Sequence, residues 1–145
     1  MDMLRFSKVL VAVGLAVCGV HYWHQHENAV ALAAAADENG FVDLPVQGQS
    51  PDTVYIVAAL NCPHEAAQRA DRLAKDLGDK GIPVIRTNHW NFHWTGTDRS
   101  VADALAKRLN AVGNGPLPIV FVRGWAKGAP TLDEVVAEYG QSDQK

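Results

Sequence analysis

Cys62-Pro63-His64-Glu65 is the stretch of this 145-residue chain whose residue types come closest to a reactive site. A cysteine is a nucleophile only as its thiolate, and the unpaired N–H groups and dipole at a helix N-terminus favour that anion. Pro63 suits the first position of a helix, which would make Cys62 the N-cap. A protonated His64 would favour the thiolate further, whereas the Glu65 carboxylate would disfavour it. The plain alternative is an inert cysteine.

The stretch Asn88-His89-Trp90-Asn91-Phe92-His93-Trp94 is the second candidate. Trp90, Phe92 and Trp94 could grip an apolar peptide or partner, or could simply cover an end of the core. Cys62, His64, His89 and His93 have the thiolate and imidazole groups that suit zinc or copper. With no pair of closely spaced cysteines, no metal is assigned to them. His21, His24 and His26 are a loose trio without a fourth ligand and read as a polar juxtamembrane stretch. A phosphate-cradling Gly-rich loop, a His-Glu-x-x-His pair and a Gly-x-Ser-x-Gly elbow are all missing from the sequence.

The elements that must position these residues can be read from Thr53 onward. Thr53–Leu60 is a β-branched and apolar run, a buried strand. Pro63–Leu77 is helical, with Ala66, Ala67, Ala70, Leu73, Ala74 and Leu77 on one face and Gly78 placed for a left-handed cap. Pro83–Thr87 is a second strand, so the pair makes a βαβ unit with parallel strands. Ser100 is read as the N-cap of a helix with inner positions Val101, Leu105, Leu109 and Val112, stopped by Gly113. Ile119–Val122 and Trp125–Lys127 form a hairpin through Gly124. Thr131-Leu-Asp-Glu134 is a capping box opening a last helix through Tyr139. The loops after parallel strands share one rim, so the 88–94 loop and Cys62 are expected on the same side.

This order resembles the thioredoxin fold in its glutaredoxin-like form over Thr53 to about Tyr139. Asn61-Cys62-Pro63-His64 falls where the family places the first cysteine of Cys-Pro-x-Cys. Leu117-Pro118-Ile119-Val120-Phe121 is similar to the family's cis-proline and following strand. Gly124 and Gly128 fall at its hairpin glycine and the glycine before its last helix. The resemblance implies an α/β fold, β-α-β-α-β-β-α, with a four-stranded mixed sheet flanked by helices. It implies Pro118, in cis, opposite Cys62, with a backbone edge at Leu117 open to an extended substrate or to glutathione. Glu65 stands where the family has its second cysteine, so exchange would run on Cys62 alone. Glutathione, as co-substrate, or another protein's thiol would then resolve the mixed disulfide. The site residues implied are Cys62, Pro118 and His64 for catalysis and Trp90, Phe92, Trp94 and Leu117 for substrate or partner. A non-catalytic thioredoxin-fold module, binding an envelope protein through His89–Trp94, is the alternative, and a metal-binding protein the third. No resident cofactor is called for. Arg86, Arg123 and Lys127 could hold a carboxylate but read better as surface charge.

The N-terminal segment reads as an address. Arg5 and Lys8 precede the apolar run Val9–Val20, followed by Tyr22-Trp23. This is the layout of an export signal, with the remainder of the chain crossing the membrane. The run is short against the roughly 17–25 residues of a full span. Residues 1–23 are therefore either a cleaved signal, with Ala31–Ala36 as a cleavage region, or an uncleaved inner-membrane anchor through 9–23. Leu15-Ala16-Val17-Cys18 is a poor lipobox, because Val17 is too large before the modified cysteine. Residues 24–52 read as linker with a short strand or strap at Phe41–Leu44, 53–140 as the domain and 141–145 as a frayed tail. The two cysteines, Cys18 and Cys62, lie in different segments and are not expected to pair. Net charge is −3 with scattered basic residues, which excludes a nucleic-acid surface. A mean hydropathy of −0.09 excludes a polytopic membrane protein. The expected place is the inner membrane with the domain in the periplasm, or the periplasm after cleavage, and the expected partners are protein thiols or disulfides.

Overall fold

A computed structural model describes residues 17–20, 22–23, 26, 32–45, 48–61, 63–91, 96 and 98–141. Its elements are β1 (Val42–Asp43), β2 (Val54–Val57), α1 (Glu65–Asp79), β3 (Val84–Thr87), α2 (Arg99–Gly113), β4 (Ile119–Val122), β5 (Trp125–Gly128) and α3 (Leu132–Gln141). From β2 onward the order is strand, helix, strand, helix, hairpin, helix, as read from sequence. The protein is a mixed α/β fold. Its sheet has five strands, ordered β1-β5-β4-β2-β3, rather than the expected four. β2 and β3 are parallel, and β4 runs antiparallel to both β2 and β5. The added strand is β1, antiparallel to β5 with Val42 opposite Ala126.

Period-two alternation divides the core into two layers. Val54, Ile56, Val120 and Val122 point to one face, where Ala70, Leu73 and Leu77 of α1 and Val135 of α3 cover them. Val57, Ile119 and Phe121 point to the other, against Leu105 and Val112 of α2. Phe41, fully buried, joins the first layer, and Val42 and Leu44 join the second. The folded unit therefore starts upstream of Thr53 and takes in part of the segment read as linker. Residues 32–35 are helical, and Leu32 and Ala35 pack on the second layer.

Helix ends depart from the sequence reading by a few residues. α1 starts at Glu65 with His64 as its N-cap, so Pro63 precedes the helix instead of opening it. Gly78 stays helical, and the left-handed turn falls at Gly81, with φ 77°. α2 is capped by Asp98, whose carboxylate accepts from the Ser100 and Val101 amides, and not by Ser100. Val101 is 41% exposed and does not face the core. Gly113 and Gly140 lie within their helices, and α3 runs on to Gln141.

The capping box at α3 forms as expected. The Thr131 amide donates to Glu134 Oε2 at 2.8 Å, and the Glu134 amide donates to Thr131 Oγ1 at 3.3 Å. Lys127 on β5 pairs with Glu134 at 2.8 Å and donates to the Asn39 carbonyl at 2.8 Å. Lys127, foremost, and the Thr131 amide hold the Glu134 carboxyl below its usual range. A depressed carboxyl contributes stability above its ordinary pKa, and that contribution is lost as pH falls through the folded value. Glu134→Gln should therefore lower stability at neutral pH by up to about 1 kcal/mol. The gap to wild type should close in acid, as pH falls through the depressed folded value. Denaturant titrations at both pH values check this; a gap that persists in acid would locate the effect elsewhere than in the charge.

Among the described residues no helix is long and apolar enough to cross a membrane. Most of the run Val9–Val20 lies outside the described residues, at 9–16. Cys18 is exposed. Of the histidine trio only His26 is described, with its ring stacked on Tyr22 at 6.3 Å between centroids.

Candidate functional site

The candidate site lies where β2 ends and β4 begins. The two strands are antiparallel with Val57 opposite Ile119, so the residues leaving β2 and those entering β4 share one end of the sheet. After β2, Ala58 remains buried and its amide donates to the Thr87 carbonyl at 3.0 Å. The chain surfaces from Ala59, with Leu60 45% exposed, and turns at Asn61, with φ 52°. Asn is among the few residues that tolerate that conformation. Cys62 lies outside the described residues; Pro63 and His64 follow it, both exposed. The His64 side chain makes no cap hydrogen bond. Because α1 begins at Glu65, the helix-dipole argument made for an N-cap Cys62 passes to His64.

On the β4 side, the Leu117–Pro118 peptide is cis. Pro118 is buried and Leu117 is 40% exposed. The Ala129 amide donates to the Pro118 carbonyl at 2.7 Å. Arg69, one turn into α1, donates to the Leu117 carbonyl at 3.1 Å and pairs with Glu65 at 3.1 Å. Sequence reading missed Arg69; its signal was the Glu65–Arg69 spacing of four on a helix surface.

The three basic candidates for a carboxylate are engaged elsewhere. Arg86 pairs with Asp71 at 2.9 Å and donates to the Ile56 and Ala59 carbonyls at 3.3 Å each. It braces the end of β2 against α1. Arg123, at φ 50°, sits in the β4–β5 turn at the opposite end of the sheet, with its guanidinium donating to the Pro51 carbonyl and lying 5.2 Å from the Tyr139 ring centroid. Lys127 holds Glu134 and Asn39.

The 88–94 loop is only partly described. Trp90 does not stand out as a lip: it turns inward onto Phe121, ring centroids 4.9 Å apart, and covers the second core layer. His89 is exposed, with Nδ1 2.9 Å from Asn88 Oδ1, and its amide donates to Thr87 Oγ1 at 3.2 Å. Phe92, His93 and Trp94 lie outside the described residues. Among the described residues no cluster of three or more metal-ligating side chains occurs. A cleft of about 190 Å³ opens beside the edge strand β3, lined by Gln49, Tyr55, Ile85, Thr87, His89 and Trp90 among others. It contains no residue of the 60–65 or 115–118 segments.

Comparisons with protein-family models, curated proteins and solved structures give no match.

Proposed function

We propose that the chain is a glutaredoxin-like protein of the thioredoxin fold that carries out thiol–disulfide exchange through Cys62 alone. The observation that carries this reading is the Val57–Ile119 register, which puts the residues flanking Cys62 and the Leu117–Pro118 turn at one end of the sheet. The order β5-β4-β2-β3, with β2 and β3 parallel and β4 reversed, supports the fold assignment, with β1 as an addition at the edge. In the reaction the Cys62 thiolate attacks one sulfur of a disulfide, forming a new S–S bond and releasing the other sulfur as a thiolate. Glu65 offers no internal thiol, so a glutathione thiolate attacks the mixed disulfide and restores Cys62. His64, exposed beside it in sequence, tunes the thiol. Leu60 and Leu117, 45% and 40% exposed, give the rim an apolar contact for a substrate chain. Arg5 and Lys8 ahead of Val9–Val20 support an exported or membrane-anchored protein with its domain facing the periplasm.

The same exposed leucines favour a second reading, in which the rim docks an envelope protein without chemistry. Glu65 counts against catalysis and says little against binding. The discriminating experiment uses the full chain carrying Cys18→Ser, so that Cys62 is the sole thiol. Incubation with oxidised glutathione should yield a Cys62 adduct by mass spectrometry, and reduced glutathione should remove it. The reaction should rise through a midpoint below the free-thiol value of about 8.5. No adduct, with alkylation no faster than that of a free cysteine, would sink the exchange reading and leave docking.

A further inference from the structure

We propose that β3 is a docking edge for a second copy of this chain, the two strands pairing antiparallel across a two-fold axis at Ile85. β3 ends the strand order, and among the described residues no strand pairs with its outer side. The Val54 amide donates to the Pro83 carbonyl at 2.9 Å and the Ala58 amide to the Thr87 carbonyl at 3.0 Å. In a parallel ladder a residue turns both its backbone groups to one neighbour, and the next residue turns them the other way. Pro83, Ile85 and Thr87 therefore face β2, while Val84 and Arg86 hold their N–H and C=O groups out at the open edge. A row of such groups is a template for another strand.

The residues of β3 select the occupant and the register. In an antiparallel pair, residues with outward groups oppose one another and exchange both bonds, and the residue between them meets its opposite number with side chains close. An axis at Ile85 sets Val84 of each copy opposite Arg86 of the other, and Ile85 opposite itself. Ile85 is 46% exposed and is the least covered residue of the strand, so the pair closes over apolar surface. Pro83 then faces Thr87 of the second copy at a position that asks no N–H of it. An axis at Arg86 would set two guanidiniums directly opposite each other. An axis at Val84 would set Arg86 opposite Ile82, whose amide is already given to the Leu77 carbonyl. At the Ile85 register Arg86 meets a valine, and its charge is answered within its own chain by Asp71 at 2.9 Å. The edge is thus self-complementary, as a two-fold contact requires. Four residues a side make a small contact against the roughly 1,200–2,000 Å² of stable interfaces, so the dimer belongs to the weak, reversible class.

The test uses the full chain from about 1 μM to about 1 mM, the range of weak association. Sedimentation should show a monomer–dimer equilibrium. Hydrogen exchange at the Val84 and Arg86 amides should slow about ten-fold where about nine chains in ten are paired. The Ile85 and Thr87 amides, turned to β2, should keep one rate throughout. Ile85→Lys sets like charges opposite each other at the axis and should leave a monomer with the wild-type urea midpoint, since the side chain is exposed in the monomer. Val17, Val20, Tyr22 and Trp23 form a second exposed apolar group, so association that survives Ile85→Lys belongs to them and overturns the proposal. Cross-linking reads the register directly, in a chain with Cys18→Ser and Cys62→Ser. Under mild oxidation Ile85→Cys should give a disulfide-linked dimer, because residues opposed in this way lie within disulfide reach. Val101→Cys, equally exposed on α2, should stay monomeric. A wild-type monomer at every concentration, Val84 and Arg86 exchange that ignores concentration, or equal cross-linking of the two cysteine variants each overturns the pairing of β3 with its copy.

Discussion

Phe41→Ala should lower the unfolding free energy by about 3–5 kcal/mol, the usual cost of emptying a fully buried aromatic site. Phe41 has no exposed surface and packs with Val54, Ile56, Val120 and Val122, residues of the two central strands. Its position is set by a short turn: the Asp37 carboxylate accepts from the Asn39 and Phe41 amides, both at 2.9 Å, and Gly40 takes φ 77°. A chain that starts at Thr53 should fare worse. It loses Phe41, Val42 and Leu44 together, along with the β1–β5 ladder and the bond from the Leu44 amide to the Gly124 carbonyl. Burial of each such side chain is worth about 1.5–3 kcal/mol. Their sum approaches the whole stability of a small domain, about 5–15 kcal/mol. Urea titration should show a reduced midpoint for Phe41→Ala and no cooperative transition for the truncated chain. A truncated chain that unfolds with the wild-type midpoint would mean that residues 36–45 merely lie against a self-sufficient domain.

What the sequence disclosed, and what it hid, follows from the length over which each signal is written. β2 and β4 are runs of β-branched residues, and α1 repeats alanine and leucine at steps of three and four over several turns, so both were legible. β1 has only two residues, and no periodicity exists at that length. It is a strand because β5 offers an unpaired edge, a fact of tertiary structure. The helix starts were displaced because capping signals compete locally. Asp98 and Ser100 are both good caps, and the carboxylate takes the two amides. Pro63 tolerates a first helical position, yet the helix opens two residues later. In the 88–94 loop the sequence announced aromatic residues without saying which would turn inward. Trp90 does so, packing its ring on Phe121 at 4.9 Å between centroids, a contact between residues far apart in sequence. At the candidate site the cis proline was legible, while Cys62 lies outside the described residues. Arg69 was not legible, because the carbonyl it holds lies far away in sequence.

Gly128→Ala should cost about 1–3 kcal/mol, and Gly128→Val more, through overpacking that side-chain rotation cannot relieve. A Cβ at Gly128 would stand 2.7 Å from the Pro116 carbonyl oxygen and 3.2 Å from Pro116 Cδ. These atoms belong to backbone and to a closed ring, so either the end of β5 or the 115–118 turn must shift. Gly128 faces Ile119 in the β4–β5 ladder, and the next residue, Ala129, holds the Pro118 carbonyl. The displacement therefore reaches the turn that carries Leu117 and Pro118, and the exchange proposed for Cys62 should fall in the molecules that remain folded. Gly140→Ala is the control. Nothing lies within 4 Å of a Cβ there, and the residue is helical, so alanine should leave the fold unchanged or stabilise it by about 0.5–1 kcal/mol. Denaturant midpoints measure the first effect, and the glutathione-adduct rate per folded molecule measures the second. If Gly128→Ala unfolds at the wild-type midpoint, the close approach to Pro116 is easily relaxed. If it is destabilised while the adduct rate per folded molecule holds, the turn ahead of Pro118 does not set the reactivity of Cys62, and the proposed role of Pro118 falls.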